Sequence, residues 1–403
     1  MARSHGGILT VIPLVSALIG AGAQAQMGPA MNSFLMNVKT DHEQCGAATF
    51  AANRPAAWRH AVTAPTIERA GQGVFMITAP GAAPLPGTSP RAGFFVDVTA
   101  VGSNAHCFED SDYVRGSDFQ SQVRCVRPDG SPVDSEFAWS YRSDSLDLVQ
   151  YSVYRANFGY AQIGTDGALA SFFTPAAHAL VTSKRLGKGR FKVVFGKLGT
   201  ASADMVPGVD ASVQVSEICR TPACASDTCS VAAWSIGATS STVDVRCFTK
   251  KGEPVDASFR VFIGQEALNS QEFGVPTPGR RVGDGVNFGW VDSSERRPAT
   301  GPGPIANPHI VYMARSKEAV GKRKVVYFHT APGKYAVAFE DQIVYGPTCW
   351  DLHVTARELD SGTYCNIGAT DHAKGLVGVA CFDGEGLPRD ARWSLTMRRQ
   401  YNN

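Results

Sequence analysis

Three groups of residues have types and spacings that could do chemistry. Cys219, Cys224 and Cys229 follow one another at intervals of five, so as thiolates they could hold a metal and as half-cystines they could close loops. Structural zinc sites use short Cys pairs matched by a second such pair. No second pair matches here, so disulfides are the better reading. Glu109, Asp110, Asp112 and Asp118 crowd one stretch, and carboxylates are calcium ligands. They lack the alternating order of a calcium loop, which leaves an ordinary solvated loop as the simpler expectation.

The third group is basic. Lys184, Arg185, Lys188, Arg190 and Lys192 form one run, and Arg315, Lys317, Lys322, Arg323 and Lys324 form another. Such clusters can attract a polyanion or protect a sheet edge. Hydrolytic chemistry is harder to find. A nucleophile needs a base and an orienting acid, yet there is no G-x-S-x-G elbow and no HExxH. His42, His60, His106, His178, His309, His329, His353 and His372 do not cluster at metal-ligand spacing. A triad assembled from distant parts of the chain stays open as an alternative.

The elements that must carry these residues begin with an export signal. Arg3 precedes an apolar run from Ile8 to Ala23, and Ala23-Gln24-Ala25 offers a cleavage site before Gln26. That run is too short to span a bilayer comfortably and ends in small residues, as signal peptides do. Net charge is +2, which excludes a strongly basic nucleic-acid binder. Charged residues make up 18%, below the ~25% of average soluble domains. Short alternating runs bounded by Gly, Pro, Asp and Ser read as strands.

Ten cysteines in an exported chain read as a disulfide set, and an internal repeat organises them. Cys107 to Cys125, Cys229 to Cys247 and Cys365 to Cys381 begin the same pattern. After the second cysteine of each pair come Gly (130, 252, 386), Pro (132, 254, 388), Asp (134, 256, 390) and an aromatic residue (Phe137, Phe259, Trp393). Upstream stand the alternating strands VDVTA from Val96, VQVSE from Val213 and LHVTA from Leu352. Further upstream are Gly73-x-Phe75-x-Ile77, Gly189-x-Phe191-x-Val193 and Gly333-x-Tyr335-x-Val337. Copies two and three open with NFGYA from Asn157 and NFGWV from Asn287, while a weaker opening for copy one lies near Ala47.

The repeated Gly after the cysteine calls for a turn with positive φ. The Pro suits a strand edge, the Asp an Asx turn, and the aromatic residue a core anchor. Pairing follows the repeat: Cys107–Cys125, Cys229–Cys247 and Cys365–Cys381. Cys219–Cys224 makes a local fifth-residue bridge, which leaves Cys45 for Cys349 by elimination.

The cysteine pair with its trailing Gly, Pro, Asp and aromatic residue, preceded by Gly-x-aromatic-x-aliphatic, resembles a tandem repeat of exported actinobacterial and myxobacterial proteins of unsettled function. Copy one departs from the pattern at Val126, where Phe248 and Phe382 stand in the others. The resemblance implies export and a β fold, and little about activity.

The expected architecture is all-β, three tandem sandwich-like modules stapled by disulfides, with a β-propeller-like array as the alternative. Residues 1–25 are the signal peptide, 26–45 an N-terminal extension, 46–155 module one, 156–264 module two, 265–285 a linker and 286–403 module three. Insertions are expected at 78–92 and 297–308. The function this suggests is a secreted or cell-surface binding or structural protein, extracellular or periplasmic. Its expected partner is an acidic polysaccharide, an envelope polymer or another surface protein, and no nucleic acid, cofactor, metal or membrane span is foreseen after cleavage. Lys184, Arg185, Lys188, Arg190, Lys322, Arg323 and Lys324 are the candidate binding residues. The competing reading is a secreted hydrolase, or its accessory module, with a site built from the insertions.

Overall fold

The structure, a computed structural model, describes residues 32–38, 44–46, 65–80, 94–143, 158–174, 180–199, 211–221, 224, 227–264, 286–293, 310–314, 325–339, 349–358, 361–371 and 374–400. The signal peptide, the linker 265–285, the insertion at 297–308 and Lys322, Arg323 and Lys324 lie outside the described residues, as do the side chains of Cys45 and Cys349. No described helix is long and apolar enough to cross a membrane.

Most of the described residues lie in β-strands. The first eight are β1 (Asn32–Val38), β2 (Gln44–Gly46), β3 (Thr66–Gly71), β4 (Val74–Ala79), β5 (Phe94–Val101), β6 (His106–Arg115), β7 (Asp118–Val126) and β8 (Glu136–Ser143). Then come β9 (Phe158–Ile163), β10 (Leu169–Phe173), β11 (Val181–Gly187), β12 (Arg190–Gly196), β13 (Ser212–Ile218), β14 (Thr228–Ile236), β15 (Ser240–Phe248) and β16 (Ser258–Gly264). The last are β17 (Val286–Asp292), β18 (Ile310–Ala314), β19 (Val325–Ala331), β20 (Lys334–Phe339), β21 (Cys349–Ala356), β22 (Tyr364–Asp371), β23 (Leu376–Phe382) and β24 (Trp393–Gln400).

Two sheets have eight strands, in the orders β19-β20-β23-β22-β5-β8-β1-β2 and β10-β9-β16-β13-β6-β7-β4-β3. Two have four, β11-β12-β15-β14 and β18-β17-β24-β21. Cut at the parallel contacts β22-β5 and β13-β6, they leave two kinds of four-stranded layer, each present three times. One kind runs β3-β4-β7-β6, β11-β12-β15-β14 and β19-β20-β23-β22; the other runs β2-β1-β8-β5, β10-β9-β16-β13 and β18-β17-β24-β21. A core fills the space between a layer of each kind, as in Ile163, Val213, Val261 and Phe259 against Phe191, Val193, Val243 and Val245. This is sandwich packing. β1, from the segment read as an N-terminal extension, pairs with β8 as β9 does with β16 and β17 with β24.

Independent beads would keep their sheets to themselves. Here the sheets pass between copies. Ile218 bridges Glu109 and Ile367 bridges Val101 in parallel, with Cys219 N–H donating to the Glu109 carbonyl at 2.9 Å and Gly102 N–H to Ile367 at 2.8 Å. At the third meeting, β14 with β21, Ser230 Oγ donates to the Glu358 carbonyl at 2.9 Å. There the Arg357 guanidinium lies 4.0 Å from the centre of the Trp234 ring. The three copies thus close a ring.

Closure buries the alternate positions of VDVTA, VQVSE and LHVTA, which alternation alone would turn to solvent. Asp97, Thr99, Gln214, Ser216, His353 and Thr355 are all buried, because a neighbouring copy covers that face. Thr99 Oγ1 lies 3.2 Å from His353 Nδ1, and Asp97 Oδ2 lies 3.5 Å from the same nitrogen. Thr355 Oγ1 donates to Gln214 Oε1 at 2.8 Å.

The repeated residues explain each copy's interior. Gly130, Gly252 and Gly386 have φ of 88°, 79° and 80°, as their turns require. The following prolines bridge back to Val126, Phe248 and Phe382. Phe137, Phe259 and Trp393 are fully buried and pack on Phe75, Phe191 and Tyr335 with ring centres 5.2, 5.2 and 5.5 Å apart.

The repeated Asp does something other than cap its own turn. Asp134, Asp256 and Asp390 each accept the backbone N–H of Gly73, Gly189 or Gly333, at 2.8, 2.9 and 2.6 Å. Each also holds a side chain four residues before that glycine, Arg69, Arg185 or His329. Hydrogen bonds from Arg69 and from Arg185 hold the carboxyls of Asp134 and Asp256 below the usual range. The glycine carbonyl in turn accepts the N–H of Cys125, Cys247 or Cys381. One clasp therefore ties a hairpin, a half-cystine and the entry to the last strand, three times over.

Candidate functional site: the outward face of β11, β12 and β15

Strand register determines which side chains share a face. Lys184 on β11 stands opposite Lys192 on β12, and Lys192 opposite Asp244 on β15. Two residues along β12, Arg190 stands opposite Arg246. The intervening Phe191, Val193 and Val245 point into the core, so Lys184, Arg190, Lys192 and Arg246 share the outward face. Lys184 and Arg190 are exposed, and Lys192 and Arg246 are half-exposed.

Asp244 is the acid within this group, 3.6 Å from Lys192. Lys188, exposed in the turn between β11 and β12, adds charge at one end. Arg185 does not belong to the face: its Nε and Nη2 donate to the two oxygens of Asp256 at 2.9 and 2.8 Å. The clasp occupies its fork, and its place in the basic run misleads. Arg246, by contrast, lies far from that run in sequence and joins it only through register.

The equivalent positions elsewhere carry different chemistry. In copy one they are Glu68, Val74, Met76 and Arg124, and Asp110 holds Arg124 at 2.9 Å. In copy three they are Phe328, Lys334, Ala336 and Ala380. The basic face belongs to copy two among these three.

The acidic stretch of copy one resolves into ion pairs. Asp110 also accepts Gln122 Nε2 at 2.9 Å. Asp112 faces Arg260 at 3.1 Å and Arg220 at 3.3 Å. Glu109 pairs with Arg260, both buried, and burial pulls the Arg260 guanidinium down to about 9. Arg260 lies one residue past the repeated aromatic, where the other copies have Ala138 and Ser394, so the repeat pattern does not signal it.

A hydrolytic arrangement would need the described histidines beside a nucleophile. Thr99, His353 and Asp97 do gather a hydroxyl, an imidazole and an acid. Yet hydroxyl and carboxylate approach the same ring nitrogen, whereas a relay needs them on opposite nitrogens. Their burial at the junction of copies also closes them to substrate. His329 serves the clasp of copy three. The four described disulfides are Cys107–Cys125, Cys219–Cys224, Cys229–Cys247 and Cys365–Cys381, so the cysteines that could have held a metal are consumed.

Comparison of the chain with protein-family models, with curated protein sequences and with solved structures found no match.

Proposed function

We propose that the protein is a secreted or surface-held binding protein without catalytic activity, and that it takes an acidic polymer, such as an anionic glycan or envelope component, on the outward face of β11, β12 and β15. One observation carries this reading. Register collects Lys184, Arg190, Lys192 and Arg246 on one face with a single acid, while the equivalent faces of the other copies carry no such group. Cations spaced by strand geometry, about 4.8 Å across strands and about 7 Å along them, suit an extended chain of repeated negative charge. Rigid presentation on a sheet limits the ordering cost of binding.

Four described disulfides accord with an oxidising compartment. The test is a binding screen of the protein against acidic and neutral polysaccharides at two salt concentrations. It is repeated with Lys184, Arg190 and Arg246 each changed to Ser. Salt-sensitive binding to acidic polymers that the triple variant loses supports the reading. Binding to neutral polymers alone, or no loss in the variant, contradicts it.

A further inference from the structure

The copies serve as controls for one another on a second outward face, that of β4, β7 and β6. Along β7, Phe119, Ser121 and Val123 are buried, and Gln120, Gln122 and Arg124 between them are half-exposed. Register sets Thr78 and Met76 of β4 opposite Gln120 and Gln122, and Tyr113 and Ser111 of β6 opposite the same two glutamines. Tyr113 is 41% exposed, and no other aromatic side chain among the described residues is exposed. Its hydroxyl donates to Met76 Sδ at 3.1 Å. Met76 stands two strands away, about 10 Å across the sheet. The ring therefore lies flat over β7, one side toward the glutamines and the other toward water.

The polar groups around the ring are held without being used up. Gln120 Nε2 donates to Thr78 Oγ1 at 3.0 Å, and Gln122 Nε2 donates to Asp110 Oδ2 at 2.9 Å. Each contact fixes an amide plane and leaves its carbonyl oxygen and a second N–H for a ligand. Asp110 also pairs with Arg124 at 2.9 Å, so that cation is matched. Glu68, beside Met76 on β3, adds negative charge at the margin. Equivalent positions carry nothing of the kind. Asp110, Tyr113, Gln120 and Gln122 become Ala232, Ser235, Thr242 and Asp244 in copy two, where Ser235 and Thr242 bond each other at 2.7 Å. In copy three they become Gly368, Asp371, Leu376 and Gly378.

We propose that this face of copy one is a second ligand site, separate from the basic face, and that it takes a neutral saccharide chain. One pyranose ring stacks on Tyr113, and its hydroxyls bond Gln120, Gln122 and Asp110. A pyranose has a face of C–H groups and a rim of hydroxyls that both donate and accept. The first matches the open side of an aromatic ring. The second matches amides and a carboxylate whose planes are already set, which limits the ordering cost of binding. An uncharged ligand also suits a face whose arginine is matched and whose margin is acidic.

The experiment is titration calorimetry of the full chain with cellohexaose, maltohexaose, mannohexaose and chitohexaose at low and high salt. At least one should bind, with an affinity that salt does not change. Tyr113→Ala should weaken that binding about tenfold. Tyr113→Phe, which keeps the ring, should stay within about twofold of the wild type, and Gln122→Ala should weaken binding about fivefold. Lys184, Arg190 and Arg246 changed to Ser should leave it intact, while Tyr113→Ala should leave the binding of acidic polymer intact, so either face can fail without the other. Failure of all four sugars to bind overturns the site. So does binding that Tyr113→Ala and Gln122→Ala leave unchanged, or that the basic-face variant removes.

Discussion

The outward layers β11-β12-β15 and β19-β20-β23 share one register and differ in nearly every exposed residue. Lys184, Lys192 and Arg246 in the first become Phe328, Ala336 and Ala380 in the second, and Asp244 becomes Gly378. Beneath them the two copies scarcely differ. The same glycine bends back on the same half-cystine, and the same aspartate clasps the same N–H. Residues that must meet several constraints at once are held in place; residues that only face water are free to acquire a ligand. Function is therefore to be sought where equivalent positions disagree, which here means the faces and the junctions.

The copies differ most in stability at a junction. Glu109→Ala takes from buried Arg260 its fully buried carboxylate and leaves it only Asp112, at 3.1 Å, and removing one member of a buried pair costs about 3–5 kcal/mol. Chemical denaturation should show that loss, whereas the same change at the equivalent Val231 or Ile367 probes packing alone.

If the interiors are truly alike, Gly189→Ala and Gly333→Ala should hurt equally. Each glycine has φ near 65°, and an added Cβ would sit 2.5 Å from the carbonyl oxygen of Cys247 or Cys381. The conformation alone costs about 1–3 kcal/mol, and the clash adds to it. Unequal melting points for the two variants would show that the clasps have diverged as the faces have.

Acid should weaken the clasps of copies one and two together. Asp134 and Asp256 are held below the ordinary carboxylate value by Arg69 and Arg185. Their contribution is present above the unfolded value of 3.8 and is lost as pH falls below it. Thermal melts between pH 5 and pH 2.5 should fall. Asp134→Asn with Asp256→Asn should flatten that limb while lowering the plateau.

The smallest effect on stability, and the most informative for function, comes from exchanging faces. Phe328→Lys, Ala336→Lys and Ala380→Arg on copy three should each change stability by no more than about 0.5 kcal/mol. Together they should give that copy affinity for acidic polymer, read by co-sedimentation.

Much of this interior was legible in sequence because the repeat supplies three readings of each position. The partners in the four described disulfides, the positive φ after the second cysteine and the buried aromatic follow from spacing and residue type alone. The clasp was half legible: the aspartate repeats visibly, but its partners Arg69, Arg185 and His329 differ in type and lie more than 55 residues upstream, at separations of 65, 71 and 61. Burial of Asp97, Gln214 and His353 was not legible, since alternation reports one covered face and cannot reveal that a second copy covers the other. The basic face was partly visible in the run from Lys184 to Lys192. Arg246 joins it, and Arg185 leaves it, only through pairing partners distant in the chain.

The dissociation constant for an acidic polysaccharide at 50 and 300 mM salt tests the role of that face most directly. The wild type should bind at low salt and weaken on the order of tenfold or more at high salt. A variant with Lys184, Arg190, Lys192 and Arg246 all changed to Ser should retain its melting point and show little binding at either concentration. A folded variant that binds as tightly as the wild type, or wild-type binding indifferent to salt, would contradict the assignment.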